Sequence, residues 1–179
     1  MSNQRLWAPW RYDYVSGQLP IDDQLQPEPQ EWLPLADRDC FLCQAAATYE
    51  NPRVADRANL VIERGKHGLV ILNRFPYNNG HLLVAPHRHV GPLHELTDEE
   101  KLAGIELLTR YTQLLTDKIS AQGFNIGLTL GDVAGAGVPG HLHWHLVPRW
   151  SGDHNFMPVT GATSMIHQSL ESLWDLLTG

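Results

Sequence analysis

Three histidines at two-residue spacing are the residues of this chain that most clearly indicate chemistry. His141, His143 and His145 alternate with leucine and tryptophan, and Leu-Val completes the run at 146–147. Strict polar and apolar alternation is typical of a half-buried β-strand, in which every second side chain shares a face. The run therefore predicts a strand over 141–147 that places its three imidazoles on one face, in steps of roughly 6.6 Å, and its apolar side chains in a core.

Imidazoles arranged in this way are suited to group transfer. A neutral imidazole is a nucleophile, and its pKa of about 6.5 also makes it an effective acid or base at neutral pH. The segment 134–140, which precedes the histidines, is rich in glycine and carries no bulky side chain. Backbone N–H groups in such a segment can approach an anionic oxygen, so the combination indicates a phosphate as the reacting group.

Two other uses of the histidines stay open at this point. At strand spacing, His141 and His145 lie roughly 13 Å apart, so one metal ion could bind two of the three histidines but not all of them. Three purely structural, buried imidazoles would each need their own hydrogen-bond partners.

Composition narrows the class of protein. The chain has 179 residues, of which 42% are hydrophobic, and this is enough for one well-filled domain. Its net charge of −7 argues against a polynucleotide partner, because nucleic-acid binding needs a basic surface. No apolar run approaches the roughly 20 residues that span a bilayer, and no signal-peptide core follows the N-terminus. We therefore expect a cytoplasmic protein without a membrane partner.

The elements that must position the histidines follow from turn and capping signals. Residues 1–36 contain five prolines among aromatic residues and predict an extended N-terminal arm, with the remaining domain over 37–179. A capping box at Thr97–Glu100 begins the longest helix, and Gly123 is predicted to stop it. An amphipathic C-terminal helix is predicted from Ser164 to Leu177. The strands are predicted over 60–63, 69–72, 81–85, 124–130 and 141–147. This is an α+β domain.

Apolar residues recur at helical spacing after the capping box. They predict which face of the long helix is buried. The residues concerned are Leu102, Ile105, Leu108, Leu115 and Ile119.

The histidine run resembles the signature of the histidine-triad (HIT) family, in which three histidines alternate with apolar residues. All seven positions from 141 to 147 match it, and the similarity extends back through 80–86 to the C-x-x-C motif at 40–43. The segments 6–11 and 148–158 are similar to the corresponding segments of one branch of this family. That branch contains bacterial diadenosine tetraphosphate phosphorylases and resembles fragile-histidine-triad proteins. The resemblance implies a HIT-like fold, with an antiparallel sheet of about five strands, one long helix and a C-terminal helix, and a homodimer.

The resemblance also implies an activity. His143 would attack the α-phosphorus of a nucleotide to form a nucleotidyl-histidine, which water or phosphate would resolve, and His145 would hydrogen-bond phosphate or leaving-group oxygens. The substrate would be a small nucleotide with a phosphate anhydride or related bond, such as a diadenosine polyphosphate, and no catalytic metal would be required. The alternative is a non-catalytic nucleotide-binding or sensing protein.

Further substrate-binding positions follow from the same resemblance. Asn73 stands where the family contacts ribose hydroxyls, and His81 stands where a supporting histidine approaches the triad. Many members have Gln or Ser where this chain has Gly137 and Val138. Phosphate binding would therefore depend more on backbone N–H groups at these two positions.

A structural zinc site is the last implication of the resemblance. Some members bind zinc through a C-x-x-C motif, a histidine after a Pro-x-x-His loop and the first triad histidine. These map to Cys40, Cys43, His89 and His141, and two thiolates with two imidazoles suit tetrahedral zinc. A pair of reduced thiols without metal is the other interpretation, and His87 is a nearby alternative ligand.

Overall fold

An antiparallel five-stranded sheet forms the centre of the protein. The computed structural model describes residues 27–153 and 166–179. The strands are β1 (Val61–Arg64), β2 (Gly68–Leu72), β3 (Leu82–Pro86), β4 (Gly123–Leu128) and β5 (Trp144–Arg149). Their order across the sheet is β1-β2-β3-β5-β4, and all neighbours are antiparallel. The last strand therefore lies between β3 and β4, and β4 lies at an edge.

Four α-helices accompany the sheet in the described residues. They are α1 (Phe41–Ala46), α2 (Pro52–Ala58), α3 (Asp98–Ile119) and α4 (Leu170–Thr178). The long helix α3 packs on β2, β3 and β5, and α4 packs on β1, where the Trp174 indole N–H donates to the Val61 carbonyl at 2.8 Å. The α+β fold expected from the sequence is confirmed. None of these helices is long and apolar enough to cross a membrane.

The N-terminal arm falls largely outside the described residues. The aromatic residues Trp7, Trp10, Tyr12 and Tyr14 of the arm lie there. Of the described part, Glu31 forms an isolated antiparallel bridge with Thr48. The predicted boundary between arm and domain at residue 36 stays a prediction.

The capping box that was predicted at the start of α3 is confirmed. Thr97 accepts a hydrogen bond from the Glu100 backbone at 3.2 Å, and the Glu100 carboxylate accepts one from the Thr97 backbone at 2.9 Å. The predicted stop at Gly123 is wrong, because Ser120 ends the helix in the left-handed region (φ 54°) and Gly123 opens β4. The Ser120 conformation returns the chain towards the sheet three residues earlier than the glycine signal indicated.

The buried face of α3 was predicted only in part. Leu108 and Leu115 are buried as expected, together with Gly104, Leu107 and Tyr111. Leu102 and Ile105 are 59% and 56% exposed, contrary to the prediction. Their side chains lie outside the stripe that contacts the sheet.

The histidine run forms a shorter strand than predicted. β5 begins at Trp144, so His141 and His143 precede it, and the prediction of a strand over the whole of 141–147 is wrong. The ladder with β3 pairs Val84 with Trp144, and continuing its register would pair Leu142 with Pro86. Proline has no N–H to donate to a ladder. Leu142 instead donates its backbone N–H to the Val90 carbonyl at 2.7 Å.

Other boundaries also differ from the sequence predictions, most of them by one or two residues. β4 ends at Leu128 rather than at residue 130. The C-terminal helix begins at Leu170 with Ser169 as its N-cap, whereas residues 166–169 are not helical and 164–165 lie outside the described residues.

Candidate active site

His143 is held in the tautomer that a nucleophile requires. Its Nδ1 lies 2.9 Å from the backbone carbonyl oxygen of His141. A carbonyl can only accept, so Nδ1 carries the hydrogen and Nε2 retains its lone pair. The residue is 9% exposed, so the surrounding protein restrains the ring while the site stays reachable.

His145 lies beside His143 and is oriented by a fourth histidine. The rings of His143 and His145 are 5.1 Å apart between centroids. His81 is buried, and its Nε2 lies 2.9 Å from Nδ1 of His145. The Tyr77 backbone N–H donates to Nδ1 of His81 at 3.1 Å, so the proton of His81 resides on Nε2. His81 Nε2–H therefore donates to His145, which leaves the proton of His145 on its own Nε2.

Asn73 follows β2 and contacts His81. Its Nδ2 lies 3.2 Å from Nδ1 of His81, and its Oδ1 accepts from the Phe75 backbone at 3.0 Å. The structure thus places His81 beside His145 and Asn73 beside His81, and the ribose contact of Asn73 stays a prediction. The Tyr77 ring stacks on His81 with centroids 4.9 Å apart and lies 5.9 Å from His145. Sequence reasoning missed Tyr77, for which the Pro-Tyr-Asn-Asn-Gly loop was the available signal.

Gly137 and Val138 lie in the loop between β4 and β5. Gly137 is exposed, whereas Val138 is partly buried against the core and its carbonyl accepts from the His141 backbone at 3.2 Å. Val138 therefore anchors the segment that leads into the histidines. The contact of Gly137 and Val138 with a phosphate stays a prediction.

The four predicted metal ligands come together beside this site. The donor atoms of Cys40, Cys43, His89 and His141 all lie within 4.8 Å of one another. The Sγ–Nδ1 distances are 3.4 Å for Cys40–His141, 3.5 Å for Cys43–His141 and 3.2 Å for Cys43–His89. In a tetrahedral zinc site with ordinary bond lengths these atoms lie about 3.6 Å apart. The cluster therefore fits zinc with little adjustment.

Hydrogen bonds and burial leave the side chains of this cluster suited to bind a cation. Nε2 of His141 donates to the Pro86 carbonyl at 3.0 Å, so its Nδ1 lone pair faces the two sulfurs. Burial lowers the pKa of His141 to about 4, which keeps the imidazole neutral. Burial also raises the pKa of Cys43 to about 12, so two adjacent thiolates would need a cation to form.

Three residues next to the cluster, His87, Gly140 and Asp37, differ in how they relate to it. His87 donates from Nε2 to the Gly65 carbonyl at 2.7 Å and is not part of the cluster, so it is not the alternative ligand. A Cβ on Gly140 would lie 2.9 Å from Nε2 of His89, and the glycine therefore permits the loop to pass this ring. The same nitrogen lies 3.9 Å from the Asp37 carboxylate, which is beyond hydrogen-bond distance.

Comparison with known proteins agrees with this arrangement. A model of the HIT domain matches residues 55–152. The chain is 36% identical over 174 residues to the AP-4-A phosphorylase of Mycobacterium tuberculosis. The aligned region covers 97% of this chain and 82% of that protein. It is 36% identical over 93 residues to the asymmetrical bis(5'-nucleosyl)-tetraphosphatase of Schizosaccharomyces pombe. Here the aligned region covers 52% of this chain and 50% of that protein.

Solved structures show the same fold. A Zn-bound histidine triad family protein from Mycobacterium smegmatis superposes with a TM-score of 0.55 at 27% identity, covering 66% of this chain and 81% of that one.

Proposed function

The chain belongs to the histidine-triad (HIT) family, and from that premise we propose that it cleaves dinucleoside polyphosphates through a nucleotidyl-histidine intermediate on His143. The observation that carries the proposal is the pair of fixed tautomers. His143 presents a lone pair at Nε2, and the adjacent His145 presents a hydrogen at Nε2. A nucleophile and a donor at neighbouring positions are what displacement at phosphorus requires.

The reaction proceeds in two displacements. In the first, Nε2 of His143 forms a bond to the α-phosphorus, and the bond from that phosphorus to the bridging oxygen breaks with its electron pair remaining on the oxygen. The Nε2–H of His145 hydrogen-bonds the phosphate or leaving-group oxygens, while the His141 carbonyl holds the Nδ1–H of His143. In the second displacement an acceptor attacks phosphorus from the opposite side and releases His143.

Phosphate is the acceptor that we propose. The phosphorylase relative covers 97% of this chain, whereas the tetraphosphatase relative covers 52%. Transfer of an adenylyl group to phosphate yields ADP, and transfer to water yields AMP. Product analysis with and without phosphate therefore separates the two acceptors.

We propose that Cys40, Cys43, His89 and His141 hold one structural zinc ion. When bound, zinc would supply a cross-link between α1 and the segments that flank β3 and β5, and it would take no part in the displacement. The fit of the donor distances and the Zn-bound relative from M. smegmatis support this assignment.

We propose that the chain forms a homodimer, in which exposed apolar side chains on α3 or on β4 contact the partner. Leu102 and Ile105 on α3 are more than half exposed, and Ile126 on the edge strand β4 is 50% exposed. An edge strand also presents unpaired backbone groups to a partner. Sedimentation equilibrium should give twice the chain mass, and Leu102→Asp should shift it towards the monomer. A monomeric wild-type protein at micromolar concentration would exclude this assembly.

Intact-protein mass spectrometry tests the covalent mechanism. We expect an adenylyl adduct after brief incubation of the wild type with diadenosine tetraphosphate, and none in His143→Ala. His94 is exposed and lies in the short 3-10 turn at 93–95, so His94→Ala is a matched control that should retain the adduct. Nucleotide binding without adduct or turnover in the wild type would instead support a nucleotide-binding or sensing protein.

A further inference from the structure

The backbone at His141 is held by contacts that lie outside the sheet. The ladder between β3 and β5 ends at Trp144, three residues after His141. Beyond it, the Pro86 carbonyl accepts from the His141 ring at 3.0 Å, and the Val90 carbonyl accepts from the Leu142 backbone at 2.7 Å. Contacts from the end of β3 and the loop after it therefore take the place of the ladder.

A tight turn leads into His141 from the other side. The Val138 carbonyl accepts from the His141 backbone N–H at 3.2 Å, which closes a four-residue turn over 138–141. Pro139 lies at its second position, where the pyrrolidine ring fixes φ and stiffens the turn. A displacement of Pro139 is therefore passed on to His141 and is not absorbed within the turn.

Gly91, in the loop after β3, is packed directly against this turn. A Cβ on Gly91 would lie 2.4 Å from the Pro139 carbonyl oxygen and 3.4 Å from Cα of Gly140. Real Cβ atoms essentially never have a neighbour within 3.0 Å, so a side chain at position 91 would separate the loop and the turn by at least about 0.6 Å. The backbone of Gly91 is not in the left-handed region, so alanine would otherwise suit its conformation. The contact with Pro139 is what requires a glycine here.

We propose that Gly91 is a positioning residue for the reaction, because it sets the place of the His141 carbonyl and thereby the direction of the His143 ring. The inference rests on the proposed function, in which Nε2 of His143 attacks phosphorus. Nδ1–H of His143 donates to that carbonyl at 2.9 Å. Movement of the carbonyl rotates the ring or lengthens this hydrogen bond, and either change takes Nε2 out of line with the phosphorus. Gly91 acts through the turn and is not itself a catalytic residue.

The rate of adduct formation in Gly91→Ala tests the inference. Misplacement of about 1 Å can slow a reaction by about 100-fold, so we expect the maximal rate with diadenosine tetraphosphate to fall by about 10- to 100-fold. Gly123→Ala makes the same change on β4, where no atom lies within 4 Å of the added Cβ, and should keep the wild-type rate. A Gly91→Ala rate within about twofold of the wild type would overturn the inference.

A second control separates positioning from loss of stability. Leu173 is buried in α4, which packs on β1, and β1 is an edge strand that does not adjoin β5. Leu173→Ala should therefore lower the Tm without slowing adduct formation at a temperature where the protein is folded. An equal rate loss in Leu173→Ala and Gly91→Ala, at equal loss of Tm, would overturn the inference.

The proposed zinc site needs its own control, because His141 is one of the proposed ligands. Zinc content is measured by elemental analysis, and adduct formation is compared between wild-type and Gly91→Ala proteins of equal zinc content. We expect the rate difference to persist at equal zinc content. A rate loss that occurs only in zinc-depleted protein would place the effect at the metal cluster and overturn the inference.

NMR of the His143 ring gives a readout that does not depend on turnover. The Nδ1 proton of His143 should resonate at a lower chemical shift in Gly91→Ala than in the wild type, as expected for a longer hydrogen bond to the His141 carbonyl. Leu173→Ala should keep the wild-type shift. An unchanged Nδ1 proton in Gly91→Ala would overturn the inference whether or not an adduct forms. Absence of any adduct in the wild type, with a proton that responds to Gly91→Ala, would instead refute the proposed function.

Discussion

The contact between Gly104 and Trp144 should limit both stability and catalysis. A Cβ added to Gly104 in α3 would lie 2.9, 3.0 and 3.4 Å from three carbons of the Trp144 ring. Ordinary carbon contacts are about 3.5–4.0 Å, so the ring or the helix must move by at least about 0.6 Å. Trp144 is 8% exposed and lies between the helix and the sheet, so it has little room to move.

Gly104→Ala changes two terms of opposite sign. Alanine favours the helix by about 1 kcal/mol over glycine, whereas overpacking a core costs about 1–3 kcal/mol. A double-mutant cycle with Trp144→Phe separates them, because the shorter ring lacks the carbons in question and the propensity gain cancels. We expect a coupling free energy of about 1–3 kcal/mol from urea unfolding, with Gly104→Ala stabilising in the Trp144→Phe background.

The same substitution should slow the chemistry. Trp144 lies in sequence between His143 and His145, so a shift of its ring displaces the backbone that carries both. Misplacement of about 1 Å can reduce a rate by about 100-fold, and we expect adduct formation to slow by about 10- to 100-fold. Gly127→Ala, on β4 with no atom near its Cβ, is the matched control and should leave the rate unchanged. A coupling free energy below about 0.5 kcal/mol would refute the packing argument.

Three further predictions concern elements around the site. Cys43→Ser should lower the zinc content from about one ion per chain to near zero by elemental analysis and lower the Tm, and full zinc content in the variant would contradict the assignment of this ligand. Arg88 lowers the pKa of Glu100 below its ordinary value of 4.5 through hydrogen bonds. The stability from this pair should therefore be complete above pH 4.5 and be lost as the pH falls through the folded pKa. The difference in unfolding free energy between wild type and Glu100→Gln should shrink in that range, and a difference that does not decrease as the pH is lowered below 4.5 would refute this. Trp174→Phe leaves the Val61 carbonyl without its donor and should cost about 1–3 kcal/mol in urea unfolding, and no loss would show that the hydrogen bond is dispensable.

Local signals predicted the features that depend on neighbouring residues. The capping box at Thr97 is a relation over three residues, and it is present in the structure. The family resemblance predicts the four candidate metal ligands, and the fold brings Cys40 to within 3.4 Å of His141, 101 residues later. Spacing within the chain could not have supplied that distance, because it depends on where α1 packs.

Features that depend on tertiary contacts were missed. Helices α1 and α2 have six and seven residues, which is too short for an apolar period to be evident. The exposed side chains of Leu102 and Ile105 have the spacing of a buried stripe, but the stripe that contacts the sheet passes through Gly104. A glycine adds nothing to an apolar pattern, so the closest approach of helix and sheet was the position that the pattern could not identify.

The spacing of the histidines has a physical reason different from the shared face that alternation suggests. Pro86 ends the ladder with β3, so His141 lies before β5, and the Pro86 carbonyl takes the Nε2–H of His141. The His141 side chain is thereby committed to the cysteines, while its own carbonyl accepts the Nδ1–H of His143. The two-residue spacing is required because a backbone carbonyl must reach the ring two positions later. Replacing His141 should therefore remove a proposed metal ligand and, through movement of its backbone, loosen the orientation of the His143 ring.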